Sequence, residues 1–201
     1  MNFLAHLWLA DRTGTSLAGS VLGDVVRGSD LSAYPDAIAE GVRLHRRVDA
    51  RTDRHPLIVD ARSNFAPGSR RYAGIVLDLA CDHVLARDWP RHSTEPFEAF
   101  CTRAGLAIAE ARGWFEAAGG RGTSAARFAA LLCSYRTADG IELALQRIAQ
   151  RMRQPEGLLE AGAGWQRHAQ ALEAPLPQLL DDLVATMRAG PAVIPGGAGS
   201  A

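Results

Sequence analysis

Apolar residues recur at helical spacing along almost the whole chain, and no stretch keeps the two-residue alternation of a strand. The first helix covers residues 2–10, with Phe3, Leu4, Leu7 and Trp8 for packing and His6 in its middle. Thr15 or Ser16 is suited to cap a second helix running to about Gly28, where Asp24 falls among Leu17, Val21 and Gly28 on the inward face. A third begins near Pro35, where a missing N–H does no harm, and stops near Arg54, because His55 precedes a proline. Pro56 opens a short helix to about Phe65.

Residues 70–89 are hydrophobic nearly all round, the mark of a central buried helix. Beyond Pro90, amphipathic helices are expected over 95–118, 124–136 and 139–153, and one or two more over 160–188, broken around Pro175 and Pro177. The Gly/Pro/Ala-rich residues 190–201 are expected to be a disordered tail, leaving one domain over 1–189. The pattern predicts an all-α, compact multi-helix bundle.

Polar residues interrupt these inward faces in a few places, and they carry the candidate chemistry. His45 and Asp49, four apart, lie on or beside the face marked by Ile38, Val42 and Val48. Asp78 and Asp82 share one face of the apolar 70–89 helix, with His83 about 100° away. Two carboxylates one turn apart in such a helix stay ionised together only beside a cation. Each residue alone has a plain structural explanation, such as a hydrogen-bonded core histidine or an aspartate paired with Arg27 or Arg46. Taken together, His6, Asp24, His45, Asp49, Asp78, Asp82 and His83 come from four helices and combine nitrogen and carboxylate donors. That set suits Mn²⁺, Fe²⁺ or Zn²⁺ and metal-dependent phosphoester hydrolysis.

Composition changes the picture in three respects. With 201 residues and 47% hydrophobic content, the chain can bury a full core. Its net charge is zero, yet between Arg43 and Arg71 eight arginines face three acids, a local surplus that favours a phosphate or an acidic partner. The three scattered cysteines form no CxxC pair and fit reduced thiols in a cytoplasmic protein. No signal peptide or membrane-spanning stretch is expected, and neither nucleic acid nor membrane is expected as a partner.

Several ordered blocks carry a family resemblance. Met1-Asn2-Phe3-Leu4-Ala5-His6-Leu7, Leu22-Gly23-Asp24 with Arg27-Gly28, Leu44-His45-Arg46-Arg47-Val48-Asp49 with Thr52-Asp53-Arg54-His55-Pro56, and Arg70-Arg71-Tyr72 leading into Asp82-His83 resemble the acyl carrier protein phosphodiesterase family. The resemblance implies hydrolysis of the phosphodiester joining 4′-phosphopantetheine to a serine of acyl carrier protein, with Mn²⁺ as the metal. It also implies a distant kinship with the all-helical HD phosphohydrolases. This chain departs from their His-Asp doublet, since its adjacent pair is reversed as Asp82-His83.

The expected site follows from these two lines. One or two metal ions are held by Asp24, His45, Asp78 and Asp82, with His6 or His83 completing the set; Asp49 orients a ligand or joins it. Arg46 and Arg47, with Arg27, Arg70 or Arg71, bind the phosphodiester, and His55 or a metal assists the leaving oxygen. Arg43, Arg51 and Arg54 on the outer helix face meet the acidic carrier protein. The rival readings are an HD-like hydrolase of a nucleotide or small phosphoester, and a non-enzymatic helical module whose carboxylates pair with arginines.

Overall fold

The computed structural model describes residues 1–189, and the expected tail at 190–201 lies outside the described residues. Within them the fold is all-α. Twelve helices follow in order: α1 (Phe3–Arg12), α2 (Leu17–Leu22), α3 (Asp36–Thr52), α4 (Pro56–Ser63), α5 (Ala73–Arg87), α6 (Phe97–Glu110), α7 (Arg112–Ala117), α8 (Ala125–Ser134), α9 (Ala138–Ala149), α10 (Pro155–Gly162), α11 (Trp165–Glu173) and α12 (Leu176–Arg188).

Local chemistry sets most boundaries. Ser16 caps α2 by accepting the Gly19 N–H, and Pro35 precedes the first residue of α3. His55 caps α4 ahead of Pro56, its Nδ1 accepting the Leu57 N–H. Helix α2 ends at Leu22, shorter than the apolar pattern suggests. The next N–H groups, of Asp24 and Val25, reach back only three residues, to Val21 and Leu22, and the chain turns away from the helix axis. The C-terminal region holds three helices where one or two were expected, because Ala163 and Gly164 break it a second time. Pro177 sits in the first turn of α12, where no helical hydrogen bond is lost.

Helix α5 is the central element the pattern predicts. Ten of its fifteen residues are buried, and it packs against α1, α4, α9, α10, α11 and α12. Cys81 and Cys101 lie in the core beside residues such as Trp89, Phe100 and Leu132, and all three cysteines are free thiols. No helix of the described residues is long and apolar enough to cross a membrane.

One contact places the site. Helices α2 and α3 touch backbone to backbone at Gly19 and Gly41, where a Cβ on Gly41 would lie 2.6 Å from the Gly19 Cα. A few residues along, a Cβ on Gly23 would fall within 2.6 Å of the His45 ring. Small residues at these points bring α3 close enough for His45 to reach the end of α2.

Candidate metal centre

Four elements converge beside this contact. Helix α3 supplies His45 and Asp49 one turn apart, α1 supplies His6, the turn after α2 supplies Asp24, and α5 supplies Asp78. The two imidazoles are buried and stack at 4.0 Å with an interplanar angle of 20°. The carboxylates of Asp24, Asp49 and Asp78 are partly open to solvent. The result is a buried nitrogen floor beneath an accessible oxygen rim.

The hydrogen bonds of His45 fix which nitrogen is free. Its Nδ1 lies 2.7 Å from the Ser20 carbonyl, which can only accept, so Nδ1 carries the proton and donates. Nε2 then faces Asp49 Oδ2 at 3.1 Å and Asp24 Oδ1 at 3.6 Å. A bare lone pair directed at carboxylate oxygens is repelled, so a second proton or a metal ion belongs between them. Burial opposes charge on His45, but Asp49, Asp24 and the Ser20 carbonyl outweigh it and raise its pKa.

His6 makes the same point more sharply. Its Nε2 is 3.0 Å from Asp49 Oδ1, yet neither ring nitrogen has a hydrogen-bond partner of acceptable geometry among the described residues. Burial pushes its pKa down to about 4, so the ring is neutral near pH 7. A buried, neutral, unpartnered nitrogen suits a metal ligand and is costly otherwise. Donor atoms of His6, His45 and Asp49 all lie within 4.8 Å of one another, as one ion requires. Burial would raise Asp49, but His45, His6 and the Met1 ammonium together hold it well below the usual carboxylate range.

The Met1 α-ammonium is a second neighbour. It lies 3.3 Å from Asp49 Oδ1 and 3.3 Å from Asp78 Oδ1. Burial disfavours its charge, but Asp78 and Asp49 outweigh this and raise its pKa to about 10. Burial raises Asp78, against the pull of that ammonium and of Arg62.

The remaining expected residues stand elsewhere. Asp82 is fully buried, and its two oxygens accept the Leu4 and Ala5 N–H groups at 2.9 and 3.0 Å. It caps α1 from another helix, since Asn2 at the helix start makes no capping bond. His83 points away from the group; its Nδ1–H donates to the Tyr135 carbonyl, and its ring meets Trp165 edge-on. His55 Nε2 pairs with Asp182. Arg46 donates to the Val26 carbonyl and Arg47 to that of Met187. Arg70 donates to the carbonyls of Phe65 and Ser63, and Arg71 to Gln154. Arg27 is exposed, and no arginine pairs with Asp24 among the described residues.

Met1, Ser20 and Arg62 escaped the sequence reading. A backbone carbonyl and a terminal amine leave no trace in a side-chain pattern, while Arg62 had the same spacing signal as any other surface arginine.

The fold and this cluster define a class: an all-helical protein with a compact histidine–carboxylate donor set. Residues 1–183 match the family described as acyl carrier protein phosphodiesterase, and the chain belongs to that family. It is 46% identical over 95 residues to the acyl carrier protein phosphodiesterase of Enterobacter sp. (strain 638), covering 47% of this chain and 49% of the relative. It is 46% identical over 101 residues to the protein of that name from Salmonella agona (strain SL483), covering 50% and 52%. For Salmonella dublin the figures are 44% over 110 residues, covering 54% and 57%. The chain spans about half the length of the curated relatives it matches. No solved structure matches it.

Proposed function

We propose that this protein is a metal-dependent phosphodiesterase that releases 4′-phosphopantetheine from holo-acyl carrier protein in the cytoplasm, leaving the apo carrier. Family membership supports the reaction class. The observation that carries the metal is His6, a buried ring whose two nitrogens have no hydrogen-bond partner of acceptable geometry among the described residues, beside a second histidine and a shared aspartate.

In this reading His6, His45 and Asp49 hold the ion, with Asp24 and Asp78 beside it, and Mn²⁺ suits their mixed nitrogen and oxygen donors. A divalent ion supplies positive charge to the phosphoryl oxygens and lowers the pKa of water. The Ser20 carbonyl holds His45 in the tautomer that keeps Nε2 free. Asp24, whose carboxyl is raised above its usual range by its own desolvation against the pull of His45, takes the proton of the attacking water.

The mass of holo-acyl carrier protein after incubation with the protein and Mn²⁺ tests this. Loss of the phosphopantetheine mass, blocked by chelator, is expected; an unchanged mass with folded, Mn²⁺-loaded protein refutes it.

One observation favours a second reading. The Met1 ammonium already offers a cation to Asp49 and Asp78, as a metal-free binding module would require. Metal analysis of protein purified without chelator separates the two.

A further inference from the structure

The two histidines of the candidate centre are buried, and only its carboxylates reach solvent. Of the arginines expected to grip the substrate's phosphate, Arg46, Arg47 and Arg70 donate instead to backbone carbonyls and Arg71 to Gln154, while Arg27 is exposed. A groove of about 580 Å³ opens directly beside Asp24, between the end of α2, α6, α7 and α8. Its wall includes Val25, Ile108, Phe115, Phe128 and Leu131, and three arginines, Arg112, Arg121 and Arg151, share the cavity with Asp24. Arg112 is paired with Glu116 at 2.7 Å. Arg121 and Arg151 are exposed and make no ion pair among the described residues. A second groove of about 800 Å³ shares Phe3, Phe128, Leu131 and Arg151 with the first and continues along α8 and α9.

We infer that this groove is the arm subsite: it binds a phosphate ester through Arg121 and Arg151 and packs the methyl and methylene groups of the flexible chain attached to that phosphate along α8. The inference rests on the phosphodiesterase reading above and assigns to it a specificity surface. The chemistry is complementary at both ends. Unpaired guanidiniums take non-bridging phosphate oxygens. An apolar wall several residues long gains nothing from a small polar ester but accepts methylenes one by one. The volume falls in the range of about 300–1,000 Å³ usual for organic ligands. Continuity with the donor cluster runs through Asp24, which lines the same cavity as Arg121 and Arg151 and lies 3.6 Å from His45 Nε2. The groove also gives the C-terminal half of the chain a task that its sequence did not announce.

The test uses alkyl phosphates as probes and calorimetric binding as the readout, in chelator, so that turnover plays no part. Affinity should tighten by up to about fourfold per added methylene from butyl through hexyl to octyl phosphate, the gain expected for methylene burial. The double reversal Arg121→Glu/Arg151→Glu lies on the exposed surface. It should weaken octyl phosphate at least tenfold and leave octyl glucoside unchanged. Leu131→Trp, which fills the groove, should weaken both, with melting curves confirming that each variant is folded.

No chain-length dependence, or an unchanged octyl phosphate affinity in the double reversal, overturns the inference. Turnover of holo-acyl carrier protein separates the two levels. If the wild type binds octyl phosphate as stated but releases no arm, the subsite stands and the proposed activity falls. If the wild type releases the arm and the double reversal does so with unchanged KM, the activity stands and the subsite falls.

Discussion

Gly41→Ala sets two well-known effects against each other, and the α2–α3 contact decides which wins. Alanine is the better helix former by roughly 1 kcal/mol, and Gly41 lies in the interior of α3, so propensity alone predicts stabilisation. The new Cβ, however, would lie 2.6 Å from the Gly19 Cα and 2.9 Å from the Ser16 carbonyl oxygen. These are backbone atoms of a packed helix and its cap, and no side chain can swing aside. To reach an ordinary 3.4 Å contact, the helices must part by about 0.8 Å, and packed interiors transmit such a shift. Overpacking of this kind costs about 1–3 kcal/mol. With three backbone contacts under 3.0 Å, the cost falls in the upper part of that range, about 2–3 kcal/mol, so the net expectation is a loss of about 1–2 kcal/mol, or a melting temperature lower by roughly 2–8 °C for a chain of this size.

The same separation pulls His45 from the Ser20 carbonyl now at 2.7 Å, so Mn²⁺ affinity should fall about tenfold or more. Calorimetry measures both quantities. Gly113→Ala is the control: it lies in α7 with nothing within 4 Å of its added Cβ, and it should show the propensity gain alone. If Gly41→Ala melts at or above the wild-type temperature while Gly113→Ala behaves as stated, the close helix contact is wrong.

Other expectations follow from the site. Asp24→Ala should nearly abolish turnover with helicity intact, and chelation should silence the wild type until Mn²⁺ is restored; normal activity in either case removes the metal scheme. Asp82→Ala strands the buried N–H groups of Leu4 and Ala5 and should destabilise the protein near pH 4 by about 2–5 kcal/mol in denaturant titrations, where a relieved metal ligand would leave it unchanged or more stable. Burial pushes the Asp82 carboxyl up to about 7 from an ordinary 3.8. The folded protein therefore keeps a proton that the unfolded chain loses across that window, and the wild type's advantage over Asp82→Asn should shrink as pH rises from about 4 to 7. An advantage that grows with pH would contradict this. Charge reversal at Arg43 and Arg51 on α3 and at Arg54 in the turn just beyond it should lower kcat/KM for the carrier protein at low salt with kcat nearly unchanged, the defect fading as salt rises; no change at low salt moves the docking surface elsewhere.

Most of the helices were legible because apolar spacing and capping residues report directly on local structure, although the span 95–118, read as one helix, is divided into α6 and α7, and α10 begins at Pro155, ahead of the expected start at 160. Pro35, Ser16 and the His55-Pro56 step each mark a boundary within a few residues. The inward direction of His6, His45 and Asp49 was legible for the same reason. What periodicity does not give is the partner. Asp78 and Asp82 share a helix face, yet one meets a terminal ammonium and the other caps a helix 78 residues away in sequence. The cation expected beside the pair stands next to Asp78, while backbone N–H groups satisfy Asp82. The glycines of the α2–α3 contact read as ordinary helix residues until both helices are set side by side. The arginines around the groove come from three separate segments, 112, 121 and 151, and nothing in their local sequence joins them.

Helix α1 has two clients. Phe3 lines both grooves, while His6, less than one turn further on, belongs to the donor cluster. The helix is anchored at its start by a single carboxylate, that of Asp82. If the proposed chain packs against Phe3 and the proposed ion binds His6, both act on one helix ten residues long. Whatever free energy the first event spends in seating α1, the second is spared, and thermodynamic linkage makes the favour mutual. Occupancy of the groove should set how tightly the ion is held, and the ion should in turn set how long the groove stays filled.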